Sequence, residues 1–381
     1  MVKRIAKRWL AALLCALGFH HVARWFHRRQ LLILAYHGVS ESAGPGSWWH
    51  LVSADQFKQQ LRYLTRHYRV LSLDDALREL WSGGLAKPTA CITFDDGYHN
   101  NCTVALPILR TFQAPATVYL ATGMVGTDRR LWTVVLESAF VATSAVSVTF
   151  DQTGAALRVP SNVDGRRTLA HQLIDQLKLL RPAARDPVLA SLHVQLGDGA
   201  STEGGAGAGN DDFTMMNWAD ARTMEATGLV SFGGHTMNHE IVSRLDEQEL
   251  EREINECLST LRCNLARVSP TFAFPNGRVE DFDERSIAVL RRAGTVAALS
   301  TIAGLNDRTT DSYALRRISV GDSLSYSAFR LQTSGFVHAL KSWLLGRRGP
   351  GTPPGGQRAL LSARQVAVGL GLALVDLLET I

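Results

Sequence analysis

The hydrophobic and polar positions of the chain alternate between short apolar runs and longer amphipathic stretches. Apolar runs such as LLILAY at 31–36 and ATVYLAT at 116–122 are typical of buried parallel strands. Between them, stretches such as SADQFKQQLRYLTRH at 53–67 place apolar residues at helical spacing behind a Ser cap. Strands and helices that alternate in this way predict an α/β fold whose parallel sheet closes into a barrel.

The N-terminus carries the excess positive charge of the chain. The first 30 residues hold seven Lys and Arg and no acidic residue, whereas the whole chain has a net charge of +5, so the remaining residues sum to −2. Because the folded body is not basic, no nucleic-acid partner is expected. The apolar run at 9–19, flanked by basic residues and followed by Trp25 and Phe26, predicts a helix on an anionic membrane surface. An uncleaved signal anchor, or a helix that packs on the body, are the alternatives.

Polar side chains follow the ends of several predicted strands. They are His37, Asp95, Asp96, His235, His239, Asn276 and Arg317. Because the carboxyl ends of barrel strands meet at one rim, we expect these side chains to lie close together. Asp95 and Asp96 are adjacent like charges where a strand leaves the core, which predicts a cation beside them. The five cysteines have no CxxC spacing, so neither a disulfide framework nor a cysteine zinc site is predicted.

The segment GGHTMNHE at 233–240 offers ligands for that cation. His235 and His239 are four residues apart, so in a helical turn both imidazoles lie on one face. An isolated HxxxH is weak evidence of a metal site, since histidines at this spacing also occur on surfaces and in cores. Two imidazoles and one carboxylate, however, make a three-ligand site with an open position for water. The sequence therefore predicts that one Asp binds the metal and the other stays free as a base.

Four motifs carry a resemblance to a known family. TFDDG at 93–97, HTMNH at 235–239, FAFPNG at 272–277 and ILAYHGV at 33–39 resemble motifs of the polysaccharide deacetylase, or NodB-homology, family. The last of them resembles the L-x-Y-H-x-V segment that opens one branch of the family. This resemblance implies a distorted (β/α)7 barrel with permuted strand order, an insertion and terminal helices.

The resemblance also implies a role for each site residue. Asp95 corresponds to the general base and His37 to the general acid, and the Asn276 turn would hold the oxyanion. Asp96, His235 and His239 correspond to the ligands of a divalent metal ion, with zinc expected and other divalent ions open. The family's Arg before the third-motif Pro is absent here, and Arg317 is the candidate that orients Asp95 instead.

The resemblance covers residues 31–335 and sets the expected domain boundaries. Residues 1–30 are the basic membrane-prone helix, 141–212 an insertion in the catalytic domain, and 336–381 a linker with an apolar C-terminal helix. The expected substrate is an N-acetylated oligo- or polysaccharide, on whose rings Trp48, Trp49 and Trp132 could stack.

The expected activity is removal of N-acetyl groups from sugars of a surface or cell-wall polysaccharide or its lipid-linked precursor. An O-deacetylase on the same site is the first alternative. The second is a non-catalytic carbohydrate-binding scaffold that keeps the fold. The expected localisation is peripheral attachment to a membrane, with export behind an uncleaved signal anchor as the alternative.

Overall fold

The structure, a computed structural model, describes residues 2–41, 48, 50–150, 156–197 and 211–346. Of the linker and C-terminal helix predicted at 336–381, residues 347–381 lie outside the described part of the chain. Residues 151–155 and 198–210 of the predicted insertion lie outside it as well. Within the described residues, strands and helices alternate as the hydrophobic pattern predicts.

Twelve strands lie in the described residues. They are β1 Leu31–Tyr36, β2 Gly38–Ser40, β3 Leu51–Ser53, β4 Arg69–Val70, β5 Thr89–Phe94, β6 Ala116–Leu120, β7 Ser147–Thr149, β8 Ala156–Arg158, β9 Val230–Gly234, β10 Val268–Ala273, β11 Ala297–Leu299 and β12 Ile318–Ser319.

Seven of these strands form a curled parallel sheet, a half-barrel, in the order β11-β10-β9-β6-β5-β1-β12, and β4 also pairs with β5. Every residue of β1, β5 and β6 is buried, which is why these strands are rich in apolar residues and carry no charge. The predicted distorted α/β barrel is confirmed.

The register of the sheet decides which residues leave it together. Tyr36 pairs with Phe94, and Leu120 pairs with Gly234. The residues that follow β1 and β5 therefore emerge level with each other, and β9 extends two residues further at the same carboxyl edge, since Phe94 pairs with Val118 and Val118 with Phe232. The backbone N–H of Asp95 still donates to Tyr36 O at 2.9 Å, so the sheet hydrogen bonding continues into the site.

In the part of the chain that the structure describes, thirteen α-helices surround the sheet or extend from it. They are α1 Val2–Ala16, α2 Phe19–Phe26, α3 Ala54–His67, α4 Leu73–Ser82, α5 Leu106–Phe112, α6 Trp132–Ala142, α7 Val163–Leu177, α8 Pro182–Leu196, α9 Trp218–Ala226, α10 Glu247–Asn264, α11 Glu284–Arg292, α12 Tyr326–Thr333 and α13 Phe336–Gly346.

Side-chain caps fix where several of the helices begin. Ser53 caps α3 by accepting from the N–H of Gln56, as the sequence predicts. Asp246 and Asp283 form capping boxes at the starts of α10 and α11. These caps satisfy backbone donors that would otherwise be left unpaired at the helix N-termini.

Helices α6, α7 and α8, with the antiparallel hairpin β7–β8, build a small hydrophobic core of their own. Phe140, Leu173, Leu177 and Leu192 are buried in it. The hairpin and the two later helices lie in the segment 141–212 that was predicted as an insertion. We call α6, α7 and α8, with the residues that join them, the helical wall, because it borders the site described below.

Helices α1 and α2 lie against α12 and α13. The Cys15 thiol contacts Ser327 O at 3.2 Å, and Arg24 donates to the Tyr63 hydroxyl at 2.9 Å. In the described residues, none of the helices has by itself the length and apolar composition to cross a membrane. Residues 8–16 and 19–26 meet the length and composition test only as a pair, which is bent by 70°.

Candidate active site

The aspartate pair occupies the sharp turn that follows β5. Asp96 has a φ of 72° and Gly97 a φ of 86°, so the chain enters the left-handed region immediately after the strand. A Cβ on Gly97 would lie 2.4 Å from Leu120 Cδ2, which explains why glycine stands there. The turn sends the two carboxylates in different directions, and each meets different partners.

Asp96 faces the two histidines that follow β9. Its Oδ1 lies 3.5 Å from His235 Nε2 and 3.2 Å from His239 Nε2. The predicted helical turn at 235–239 is wrong. The segment is an irregular loop in which Thr236 and His239 have φ values of 61° and 59°, and these left-handed residues turn the imidazoles together.

Asp96, His235 and His239 fit a divalent metal ion. One ligand atom from each lies within 4.8 Å of the other two. His235 Nδ1 is 2.7 Å from Ala273 O, and because a carbonyl only accepts, Nδ1 carries the hydrogen and a neutral ring leaves its Nε2 lone pair toward Asp96. Asp96 Oδ1 is buried without a suitably placed hydrogen-bond donor in the described residues, as expected of a metal ligand.

Asp95 is held by Arg317 in a bidentate ion pair. Arg317 Nη1 and Nη2 lie 2.7 Å from the two carboxylate oxygens, and both side chains are almost fully buried. Burial raises the pKa of the Asp95 carboxyl, but the charge of Arg317 outweighs this and lowers the pKa below its usual value. Arg317 lies before β12, not at the end of a strand as predicted, because this strand begins only at Ile318.

A loop after β10 places Asn276 at the same edge of the sheet. Asn276 has a φ of 59°, and Thr301 Oγ1 donates to its carbonyl at 2.7 Å. Its side-chain amide donates to Asp281, which also accepts from the Arg278 N–H at 2.8 Å. The Asn276 N–H itself makes no hydrogen bond to a described residue. It is therefore a backbone donor that remains available to a ligand.

Six of the seven predicted site residues line one cavity of about 450 Å³, which is a common size for a small-ligand site. They are His37, Asp95, Asp96, His235, His239 and Asn276. Arg317 is not among the lining residues and acts from behind Asp95. Of the three tryptophans, Trp132 lines the cavity, Trp48 is buried against Phe213, and Trp49 lies outside the described residues.

Two glutamates outside the predicted site lie around the histidine loop, of which Glu253 is buried behind the loop and Glu240 joins its end to the helical wall. Glu253 of α10 accepts from the backbone N–H groups of Met237 and Asn238, both at 2.9 Å. Arg185 of α8 forms a bidentate pair with Glu240 at 2.7 and 2.8 Å. Glu253 shares the buried stripe of α10 with Leu250 and Ile254, and a carboxylate in an apolar stripe is the signal that would have found it.

The fold and the cavity define an α/β half-barrel protein with carboxylates and imidazoles converging at the carboxyl edge of its sheet. The model of the polysaccharide deacetylase family matches residues 82–158 and 204–298. The chain belongs to the polysaccharide deacetylase family. It is therefore a hydrolase of the class that acts on carbon–nitrogen bonds of acetylated polysaccharides. No curated protein sequence gives a match.

Solved structures of similar fold include the deacetylase PplD from Streptococcus pyogenes, determined in complex with acetate. It has a TM-score of 0.53 and 19% identity, over 81% of this chain and 99% of that one. IcaB from Ammonifex degensii has a TM-score of 0.50 and 18% identity, over 81% of this chain and 97% of that one. At this identity the comparisons establish the fold, which agrees with the half-barrel.

Proposed function

We propose that the protein is a metal-dependent deacetylase that hydrolyses N-acetyl groups of sugars in a surface or cell-wall polysaccharide or its lipid-linked precursor. The observation that carries this proposal is that the two adjacent carboxylates contact different partners. Asp96 faces two imidazoles, whereas Asp95 is paired with a buried Arg317. Acetate, present in the PplD structure, is the product that such a reaction would release.

Asp96, His235 and His239 would hold the metal ion, and Zn²⁺ suits this set of one oxygen and two nitrogen ligands. When bound there, the ion would supply Lewis acidity to the acetamide carbonyl and lower the pKa of water. Burial raises the pKa of the Asp96 carboxyl, yet the two imidazoles bring it well below its usual range. Asp96 is thus ionised, as a ligand must be.

Asp95 would serve as the general base. Its lowered pKa keeps it ionised at neutral pH, and the paired guanidinium fixes the direction of its oxygens. Each carboxylate oxygen retains a second lone pair after accepting from Arg317, so one can take the proton of the attacking water.

The Asn276 N–H would donate to the oxyanion of the tetrahedral intermediate, a role worth about 3 kcal/mol for one donor. His37 would protonate the leaving amine. Burial lowers the pKa of His37, and the charges of Asp96 and Asp95 act in the opposite direction without reversing the shift. The acid role therefore depends on these two carboxylates to stabilise the imidazolium when it forms.

The test is acetate release from N-acetylglucosamine oligomers by protein of measured metal content, beside the Asp95→Asn variant. We expect release by the wild type and a loss of more than about 1000-fold in a variant that still binds metal, since base and metal ligand are different residues. O-acetylated sugars run in parallel identify an O-deacetylase. Wild-type protein that binds metal but cleaves neither class contradicts a deacetylase, and protein that binds no metal favours the scaffold.

We further propose that α1 and α2 attach the protein to an anionic membrane surface. Support comes from their large apolar side chains, of which Trp9 is 74% exposed and Phe26 68% exposed. Basic side chains lie close to them in sequence: Arg24 is in α2, and Arg28 and Arg29 follow this helix. Exposed aromatics beside basic residues suit the headgroup region of an anionic bilayer.

Co-sedimentation with vesicles tests the attachment. The wild type should bind vesicles rich in phosphatidylserine and not pure phosphatidylcholine, and replacing Trp9, Trp25 and Phe26 by Ser should reduce binding at least tenfold. Val194→Ser in α8 removes an equally exposed apolar side chain elsewhere and is the control. Equal binding by the triple variant would show that the helices do not carry the contact.

A further inference from the structure

The helical wall brings charged side chains to the cavity as well as apolar ones. Among the described lining residues, each carboxylate has a cation or an imidazole against it. These pairs are Asp95 with Arg317, Asp96 with His235 and His239, Glu137 with His171 at 3.0 Å, and Asp175 with Arg278 at 3.2 Å. The acidic groups of the cavity are therefore already satisfied.

Lys178, immediately after α7, is a lining cation that has no such pairing. Its Nζ donates to Asn276 Oδ1 at 2.8 Å, and it forms no ion pair with a carboxylate of the described residues. An ammonium can donate three hydrogen bonds, so this contact leaves two donors. Lys178 is partly buried, and a charge withdrawn from water without a counter-ion destabilises the protein unless a ligand provides one.

Arg278 stands near Lys178 on the same side of the cavity. Burial lowers the pKa of Lys178, and the charge of Arg278 lowers it further, against the opposing effect of Asp175 and Asp281. Asp175 already pairs with Arg278, and Asp281 accepts from the Asn276 side chain and the Arg278 N–H. Lys178 therefore has no carboxylate of the described residues in direct contact, although it lies next to the Asn276 turn.

We propose that Lys178, assisted by Arg278, forms an anion subsite, and that the substrate is an N-acetylated sugar with a negatively charged group on the same or a neighbouring unit. A neutral sugar would leave the two remaining ammonium donors without an acceptor of opposite charge. A carboxylate of a uronic acid or a phosphate of a glycosyl phosphate supplies both acceptor atoms and charge. The subsite rests on the proposed deacetylation and determines its specificity.

The test compares three sugars that share N-acetylglucosamine and differ in charge. They are the neutral N-acetylglucosamine tetramer, a hyaluronan tetrasaccharide with carboxylates, and uridine diphosphate N-acetylglucosamine with a diphosphate. The proteins are the wild type, Lys178→Met, Lys178→Arg and the exposed control Lys87→Met. The wild type should favour one anionic sugar over the neutral tetramer by at least tenfold in kcat/KM, and which one identifies the anion.

Lys178→Met should abolish that preference through a rise in KM for the anionic sugar. Lys178→Arg should retain most of the preference, and Lys87→Met all of it. A lysine that merely supports the Asn276 turn would instead lower kcat for all three sugars equally, and this outcome overturns the subsite. Equal kcat/KM for charged and neutral sugars in the wild type also overturns it.

Calorimetric binding of the same sugars to the Asp95→Asn variant gives a readout that needs no turnover. Tighter binding of an anionic sugar, lost on adding Lys178→Met, supports the subsite even if no acetate is released, in which case only the deacetylase proposal fails. Binding of all three sugars with equal affinity overturns the subsite whatever the activity.

Discussion

The cavity has two sides of different construction. On the sheet side, Asp95, Asp96 and His235 follow directly from buried strands, and their charges are matched by buried partners. On the helical wall, Trp132, Asp175 and Lys178 project from helices that pack on a core of their own. The first side is fixed by the register of the sheet, and the second by side-chain contacts between separate units.

The difference separates chemistry from recognition. The residues proposed to carry out hydrolysis are held by backbone turns and buried ion pairs, which leaves them little freedom. The residues proposed to select the substrate stand on the helical wall, which contacts the sheet side through pairs such as Arg185–Glu240. Disturbing the sheet side should therefore cost stability and all activity, whereas disturbing the wall should change which sugar is accepted.

The largest effect is expected from Arg317→Met. It leaves Asp95 buried without its counter-ion, so we expect the free energy of unfolding to fall by about 3–5 kcal/mol in urea denaturation. Arg317→Lys should recover only part of this, because an ammonium cannot reproduce the two parallel hydrogen bonds. A loss below about 1 kcal/mol for the Met variant would show that the sheet side is not held by this pair.

Glu253→Gln tests whether the hydrogen bonds accepted by Glu253 hold the histidine loop in position. The neutral amide accepts more weakly from the Met237 and Asn238 N–H groups, so we expect metal affinity to fall about 10- to 100-fold. Affinity is measured by competition with a chromophoric chelator. Glu256→Gln, an exposed position of the same helix, is the matched control. If the Glu253 variant keeps the metal affinity of the wild type, the loop holds its shape through its backbone and does not need Glu253.

The Arg185–Glu240 pair is one of the direct links between the two sides. Arg185→Met should lower kcat/KM about tenfold and leave metal affinity within about threefold, since the pair fixes the wall and not the ligands. A double-mutant cycle with Glu240→Gln should give a coupling energy of about 1–3 kcal/mol in unfolding. Additive effects would mean that the wall is positioned without this contact.

At neutral pH the smallest expected effect concerns His50, which lines the cavity. Burial, with a smaller contribution from His37, lowers the pKa of His50 to about 3. In the unfolded chain the pKa of the His50 imidazole is about 6.5, so the unfolded chain takes up a proton there more readily than the folded protein. The free energy of unfolding therefore keeps its full value above pH 6.5 and decreases as pH falls toward 3. His50→Gln should make the fall in unfolding free energy shallower by up to about 1.4 kcal/mol per pH unit. If the unfolding free energies of the wild type and of His50→Gln fall with pH at the same slope, the pH dependence does not come from His50.

Much of the fold and the main cluster could be predicted from sequence because both depend on local patterns. Buried strands are apolar along their whole length, and residues after parallel strands share one edge. The shape of the HTMNH loop could not be predicted, because its left-handed residues are not glycines and are held by remote groups such as Glu253. The start of β12 after Arg317 was also missed, since a strand of two residues leaves almost no periodic signal.

The sequence by itself determined the α/β class, the family and which side chains stand at the ends of the strands, because hydrophobic period and motif spacing are written along the chain. The tertiary structure alone decided that Lys178 would reach Asn276, 98 residues away in sequence, and that Arg185 would pair with Glu240, 55 residues away. Such contacts arise from the packing of separate elements, and no local pattern encodes which distant group a lysine or an arginine of the helical wall will meet.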